Sequence, residues 1–386
     1  MSNLDAATEA IASHLHPTAS YNLADHALPT GKEEIWRFTP LEPLRPVLEG
    51  ASADAELAWS GELPEQVSHA ELSKEDVVAA GAQAPFDRVA AVALDHAAQS
   101  ARIDIPAGLE VADPIVIDAV GRGGTVYGRT LVNVGAGASV TLVLRHRGLA
   151  NYGELTNIVV GDGARLNFVS VQDWDDGAVH AGQHSILIGK DARVKSVTAS
   201  LGGKLIRLME TAKYAGTGGE LEQFGVYFAD AGQHSEHRLF VDHNLPNTVS
   251  NVDYRGALQG EGANAVWIGD VLIRKVAQNI STYESNKNLL LTDGCRAESV
   301  PNLEIETGDI QGAGHSSTTG RFDDEQLFYL RSRGIPEAEA RRLVVHGFFA
   351  DIIRRIGVPE VEQRLLAVLE KELDAVGLPA ANNEEN

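Results

Sequence analysis

The residue with the clearest chemical potential is His315, which lies in a stretch rich in Gly, Ala, Ser and Thr, GDIQGAGHSSTTGRF (308–322). An imidazole exchanges protons near neutral pH and is a common metal ligand. The neighbouring side chains are too small to shield it, so another chain could approach it closely. From these residues alone, a plain histidine in a surface loop is the favoured interpretation, and a chemical role stays open.

Other histidines and carboxylates also occur close together in the sequence. His180 and His184 form one pair, and His234 and His237 form another. In a strand, an offset of three places side chains on opposite faces, and an offset of four separates them widely on one face. A metal site from either pair alone is therefore disfavoured. The segment DWDD (173–176) could supply paired carboxylates for acid–base chemistry, but a solvated acidic turn explains it better.

The chain has a single cysteine, Cys295. This excludes an internal disulfide and any metal site built only from cysteines of this chain. A small buried side chain is the favoured role for Cys295. The segment GRGGTVYG (121–128) leads into strand-like sequence rather than a helix, so it predicts a turn and not a phosphate-binding loop.

The elements that must position these residues show a degenerate internal repeat. Each copy consists of an apolar alternation, a turn containing Gly, and a second alternation. The clearest copies are VNVGAGASVTLVLRH (132–146), IVVGDGARLNFVSV (158–171) and ILIGKDARVKSVTA (186–199). The turn glycines Gly135, Gly161 and Gly189 are 26 and 28 residues apart. This period predicts a stacked β-helix. We expect the three turn glycines to adopt left-handed backbone dihedrals. A β-sandwich is the alternative.

The remaining sequence is helical in character. We expect an N-terminal helical domain (1–90), a parallel β-helix core (91–305) and a C-terminal helical domain (306–386). In the last part, Pro336 and Pro359 stand at plausible first helical positions, and Gly357 can end a helix.

The composition argues against several classes of function. The net charge of −22 argues against a nucleic-acid or anionic-membrane surface, because phosphate contacts need clustered Lys and Arg. There is no apolar run of 18 residues, so no membrane span is expected. The N-terminus lacks the charged and apolar regions of a secretion signal, and a cytoplasmic protein is the expectation.

Four stretches resemble the SufB/SufD family, the scaffold proteins of the SUF iron–sulfur cluster assembly system. The longest begins NKNLLLTDGC at residue 286 and ends LFYLRSRGI at residue 335. The others are HNLPNTVSNVDYRGAL (243–258), EARRLVVHGFFADII (339–353) and PTGKEEIWRFTPL (29–41). The last motif and the single cysteine favour the SufD branch, since SufB is typically longer and carries more cysteines.

The resemblance implies a right-handed parallel β-helix between helical domains, in a subunit without enzymatic activity of its own. Such subunits pair with SufB through their β-helices and bind the ATPase SufC through C-terminal helices. ATP-driven closure of SufC is thought to open a site between SufB and SufD where a cluster is built, and SufD is also linked to iron supply. A homodimer formed through solenoid edges is a further alternative.

The resemblance also changes the interpretation of His315, which aligns with the family histidine at the SufB–SufD interface. Imidazole is a reasonable iron ligand beside thiolates, so the ligand role becomes the favoured one. Ala313 stands where many relatives have a cysteine, so no thiol can come from that position. No family role transfers to Cys295. We expect no tightly bound cofactor in the isolated chain, and a transient iron or iron–sulfur cluster at the interface.

The SufC contact is predicted on the aromatic and small residues of the C-terminal helices. These are Phe328, Tyr329, Leu330, Gly347, Phe348 and Phe349. Packing in a helical core explains the aromatic residues equally well. Outside this family, the main alternative is a β-helix enzyme acting on carbohydrates, which needs a cleft with paired carboxylates that the sequence does not show.

Overall fold

The computed structural model describes residues 18–50, 53–321 and 324–375. It is dominated by a parallel β-solenoid of about eight turns, which confirms the predicted fold class. The strands are β1 (Ala58–Ser60), β2 (Ser68–Ala70), β3 (Gln99–Ile105), β4 (Ile115–Val134), β5 (Ser139–Val160), β6 (Arg165–Trp174), β7 (Val179–Ile188), β8 (Arg193–Ser200), β9 (Leu205–Tyr214), β10 (Glu220–Ala229), β11 (His234–His243), β12 (Val249–Leu258), β13 (Asn264–Ile273), β14 (Ser281–Leu290), β15 (Arg296–Ile305) and β16 (Gly312–Arg321).

The solenoid has two sheets that meet at the long strands β4 and β5. One, called here the odd sheet, continues from β5 through β7, β9, β11, β13 and β15, and the even sheet continues from β5 through β6, β8, β10, β12, β14 and β16. Neighbouring strands are parallel and pair in uniform register; β10 and β12, for example, match from Glu220↔Val249 to Ala229↔Leu258. Equivalent side chains therefore stack in columns along the solenoid axis.

The turn glycines have a different role from the one predicted. A Cβ at Gly161 would lie 2.6 Å from the backbone nitrogen of Ala136 in the preceding turn, so stacking itself excludes a side chain there. The left-handed backbone occurs two residues later, at Gly163 (φ 66°) and at Asp191 (φ 52°). The repeat was recognised through the correct residues, but close approach of two backbones, rather than a positive φ, requires glycine at the first position.

The N-terminal residues form three helices, α1 (Leu41–Leu48), α2 (Lys74–Ala79) and α3 (Arg88–His96), with β1 and β2 beside the first strands of the solenoid. They pack on the outer face of the odd sheet. Arg207 of β9 is fully buried there, pairs with Asp87, and lies 3.9 Å from the ring of Trp36. The WRFTPL motif therefore anchors the N-terminal part on the solenoid.

The C-terminal helices are α4 (Asp324–Ser332), α5 (Glu337–Ile356) and α6 (Pro359–Ala375). Apolar residues of α5 and α6 pack on the outer face of the even sheet. Arg255 of β12 forms an ion pair with Asp351. Arg364 donates two hydrogen bonds to the carboxylate of Asp173, each 2.8 Å long. None of the helices in the described residues combines the length and apolar character needed to cross a membrane.

The solenoid extends further than the predicted boundary at residue 305. β16 pairs with β14 at ten consecutive positions, from Ser281↔Gly312 to Leu290↔Arg321. The segment expected to be a flexible loop in the C-terminal domain is therefore the last strand of the even sheet. Its Gly, Ala, Ser and Thr residues show no apolar alternation, because the strand has no further turn to pack against.

Candidate functional site at the open end of the solenoid

The last turn of the solenoid is far more exposed than the turns before it. None of the residues of β15 and β16 is buried, whereas every residue of β11 is buried. Among the described residues, β15 pairs only with β13, and β16 pairs only with β14. We call this terminal turn, with its two free strand edges, the open end.

His315 lies on β16 at the open end, and not in a loop. Its register partner on β14 is Glu284, and in parallel strands such partners share a sheet face. The imidazole Nδ1 lies 3.7 Å from Oε1 of Glu284, and the His315 side chain is 43% exposed. His315 therefore occupies an inward-facing column that remains accessible because no further turn covers it.

Glu284 is the functional candidate that sequence reasoning missed. It is 1% exposed, and its Oε1 has no hydrogen-bond partner in the part of the chain that the structure describes. Its carboxyl group reaches across to Gly269 of the odd sheet, where a Cβ would collide with it and with Trp267. Burial, reinforced by the negative charge of Asp270, raises the pKa of Glu284 to about 8.

The interior of the earlier turns holds a second buried carboxylate in a very different environment. Glu154 accepts from Nε2 of His180 at 2.9 Å and from Nε2 of His184 at 2.5 Å, while His146 lies 3.8 Å away. Burial disfavours the charged form, but the charges and hydrogen bonds of His184 and His180 outweigh it and hold the pKa of Glu154 well below its usual value. Burial lowers the pKa of His146 to about 3.

The two histidine pairs are therefore structural neighbours of carboxylates. His237 faces the interior, 3.4 Å from Glu210, whereas His234 binds Glu236 at 3.1 Å. Across the described ranges, no three His, Cys, Asp or Glu side chains come together in a way that could hold a metal ion. Any metal bound at His315 would need ligands from another source.

Cys295 and the DWDD segment take part in local packing. Cys295 is half-buried in the turn before β15, with its Sγ 3.4 Å from the carbonyl oxygen of Gly260. Ala313 packs against the solenoid core. Asp173 is held by Arg364, so it fastens α6 to the solenoid rather than forming a carboxylate pair.

The predicted helical contact residues divide into a surface group and a core group. Phe328 is 74% exposed and Tyr329 58% exposed on α4, and Leu330 is half-buried. On α5, Gly347 is exposed and Phe348 is half-buried, whereas Phe349 is fully buried against the even sheet. Phe349 therefore belongs to the core, and Phe328 and Tyr329 remain available to a partner.

The chain is similar to proteins of one family, both in a family model and in individual relatives. A family model for the SufBD core domain of the SUF system of iron–sulfur cluster assembly matches residues 116–348. A Mycobacterium tuberculosis protein named as an iron–sulfur cluster assembly SufBD family protein is 46% identical over 383 residues, which cover 96% of each chain.

Two more distant relatives carry a more specific name. The protein of Escherichia coli named iron–sulfur cluster assembly protein SufD is 24% identical over 387 residues, covering 90% of this chain and 89% of its own. The Bacillus subtilis protein of the same name is 23% identical over 279 residues, covering 70% of this chain and 63% of its own.

Proposed function

The chain belongs to the SufBD family of the SUF iron–sulfur cluster assembly system, and we propose that within this system it acts as a SufD-type scaffold subunit. In this proposal it pairs with a SufB-type partner through the open end of its solenoid and binds the ATPase SufC through its C-terminal helices. It has no catalytic activity of its own and works in the cytoplasm.

The observation that carries this proposal is the exposed terminal turn. Two parallel strands, β15 and β16, end the solenoid with free edges and without a buried residue. A free strand edge presents unpaired backbone groups that a second chain can complete. A partner solenoid of similar cross-section would continue both sheets, which fits a scaffold better than an enzyme.

In the proposed complex, His315 is the ligand that this chain brings to the interface. Its imidazole is 43% exposed and lies on the inward face of β16, in register with Glu284. Iron or a nascent cluster is the cargo, and the remaining ligands come from the partner. Because Ala313 carries no thiol, this chain offers nitrogen rather than sulfur at the interface.

The SufC contact is assigned to the exposed face of α4 and the neighbouring part of α5. Phe328 and Tyr329 are large apolar side chains with most of their surface in contact with water. Exposed aromatic residues are frequent anchors of protein interfaces. The SufD assignment, rather than SufB, is supported by the single cysteine and the WRFTPL motif.

Co-purification tests the partner assignments. Tagged chain is expressed with SufB and SufC, and the retained partners are quantified for the wild type and for a double variant, Phe328→Ala with Tyr329→Ala. We expect SufC recovery to fall at least tenfold while SufB is retained. Val276→Ala is the control, since Val276 is 63% exposed on a solenoid turn. Unchanged SufC recovery would overturn the helical contact, and failure to retain SufB would overturn the SufD-type pairing.

A further inference from the structure

We infer that Glu284 is a positioning residue for His315: an oxygen of its buried carboxyl group accepts a hydrogen bond from the Nδ1–H of the imidazole and so leaves Nε2 free for a ligand at the open end. This inference rests on the proposed function, because it assumes that His315 binds iron or a cluster.

The register of the last two even-sheet strands brings the two side chains together. Glu284 and His315 are paired Cα partners in β14 and β16, on the inward face of the sheet. Nδ1 of His315 and Oε1 of Glu284 are 3.7 Å apart. A hydrogen bond between these two atoms would be about 2.8 Å long, so a shift of about 0.9 Å in the partly exposed imidazole would form it.

Nothing else in the described structure satisfies this carboxylate oxygen. Oε1 of Glu284 has no hydrogen-bond partner, although the side chain is only 1% exposed. A buried polar group without a partner is costly, so such a group usually serves a purpose in the native protein. The only ion-pair partner that lies within reach of Glu284 in the described residues is His315.

The opposite wall of the interior leaves room for the carboxyl group of Glu284. Gly269 lies directly across the interior, and a Cβ there would collide with Oε2 of Glu284 and with the Trp267 ring. The absence of a side chain at Gly269 leaves the space that the carboxylate fills. Glu284 thus occupies space beside Trp267 that any side chain at position 269 would take.

The chemistry of imidazole gives this contact its function. A neutral imidazole has one protonated nitrogen, and only the other nitrogen has a lone pair that can bind a metal. Histidine ligands commonly donate their second N–H to a carboxylate, which fixes the tautomer and the orientation of the ring. Glu284 is placed to hold His315 in the Nδ1–H tautomer, with Nε2 available to the partner's side.

The first measurement is the tautomer of His315 in the isolated chain, read from the imidazole nitrogen shifts of ¹⁵N-histidine-labelled protein. We expect the Nδ1–H form to dominate in the wild type and the Nε2–H form to dominate in Glu284→Met. Glu284→Gln keeps an acceptor oxygen and should restore the Nδ1–H form. An unchanged tautomer in Glu284→Met would overturn the inference.

The second measurement is anaerobic ferrous iron titration of the assembled complex. Loss of a carboxylate that accepts a hydrogen bond from a metal-binding histidine weakens metal binding by about 10- to 100-fold in known sites, and we expect the iron affinity of Glu284→Met to fall about tenfold. Thr282→Val is the matched control, because Thr282 is buried on the same face of β14 and bonds to Ser250 instead. Equal shifts in Thr282→Val and Glu284→Met would mean that the effect is general packing, and would overturn the inference.

His315→Ala separates this inference from the proposed function. If His315→Ala weakens iron loading but Glu284→Met does not, the proposed function stands and the positioning role of Glu284 is wrong. If His315→Ala leaves loading unchanged, the ligand role of His315 fails, and the inference fails with it.

Discussion

Two glutamates inside the same solenoid have the same exposure and opposite environments. Glu154 and Glu284 are each 1% exposed. Glu154 lies in the closed interior among His146, His180 and His184, whereas Glu284 lies next to the open end with one oxygen unpaired. The closed part of the fold surrounds its buried carboxylate with hydrogen-bond donors, whereas the terminal turn leaves a buried carboxyl oxygen without a partner. The open end is thus incomplete in the isolated chain, as a surface built for a partner would be.

The largest loss of stability is expected from removing the carboxylate of Glu154. Glu154→Leu leaves His180 and His184 without their hydrogen-bond acceptor in the buried interior. Removing one partner of a buried ion pair typically costs about 3–5 kcal/mol, and we expect a loss of that size in the free energy of unfolding from urea titration. A loss below about 1 kcal/mol would show that the histidine cluster does not depend on the Glu154 charge.

A smaller loss of stability is expected from a substitution at Gly269, which lies opposite Glu284 in the other sheet. Gly269→Ala should destabilise the chain by about 1–3 kcal/mol, because the new Cβ overpacks against Glu284 and Trp267. Combining it with Glu284→Ala should recover part of this loss, measured as a coupling energy in a double-mutant cycle. Strict additivity of the two variants would contradict the close approach of Gly269 and Glu284.

The smallest expected effect is on how the stability of the chain changes with pH. The pKa of Glu284 is raised to about 8 in the fold, by burial and then by Asp270, and His315 is the other titratable group that faces it. Between the unfolded pKa near 4.5 and the folded pKa near 8, the folded state holds more protons, so stability falls as pH rises. Urea unfolding of the wild type relative to Glu284→Gln should therefore show a decline across this window.

Below pH 6.5, the closed interior should show the opposite sign, with stability that falls as the pH falls. The pKa of Glu154 lies well below its usual value, so its contribution is present above the unfolded pKa and is lost as the pH falls. Burial lowers the pKa of His146 to about 3. Below pH 6.5 the histidine therefore binds a proton in the unfolded state but not in the folded state, which also lowers stability as the pH falls. If stability changed with pH in the same direction at Glu154 and at Glu284, the two carboxyl groups would not differ in the way described here.

Much of the fold could be predicted from the sequence, because stacking imposes a repeat. Gly135, Gly161 and Gly189 mark the same corner in successive turns, although close backbone approach rather than a left-handed dihedral requires them. The strand β16 was not predicted, since its small polar residues carry no apolar alternation. Its pairing with β14 becomes visible only once the register of the solenoid is known.

The candidate site could be predicted only in part. His315 stood out through its small neighbours and its resemblance to a family position. Glu284 gave no local signal, because it is 31 residues away in sequence and meets His315 only through the register of adjacent turns. The division of the helical aromatic residues into exposed Phe328 and buried Phe349 likewise depends on how α5 packs on the even sheet.

The most direct test of the account is cluster assembly by the complex of this chain with SufB and SufC. Absorbance and iron content are measured for the wild type, for His315→Ala, and for Ser317→Ala, which alters the same strand two residues further along. We expect His315→Ala to lose most of the cluster in an intact complex and Ser317→Ala to load normally. Full loading with His315→Ala would contradict the claim that the open end exists to bring an imidazole to the interface.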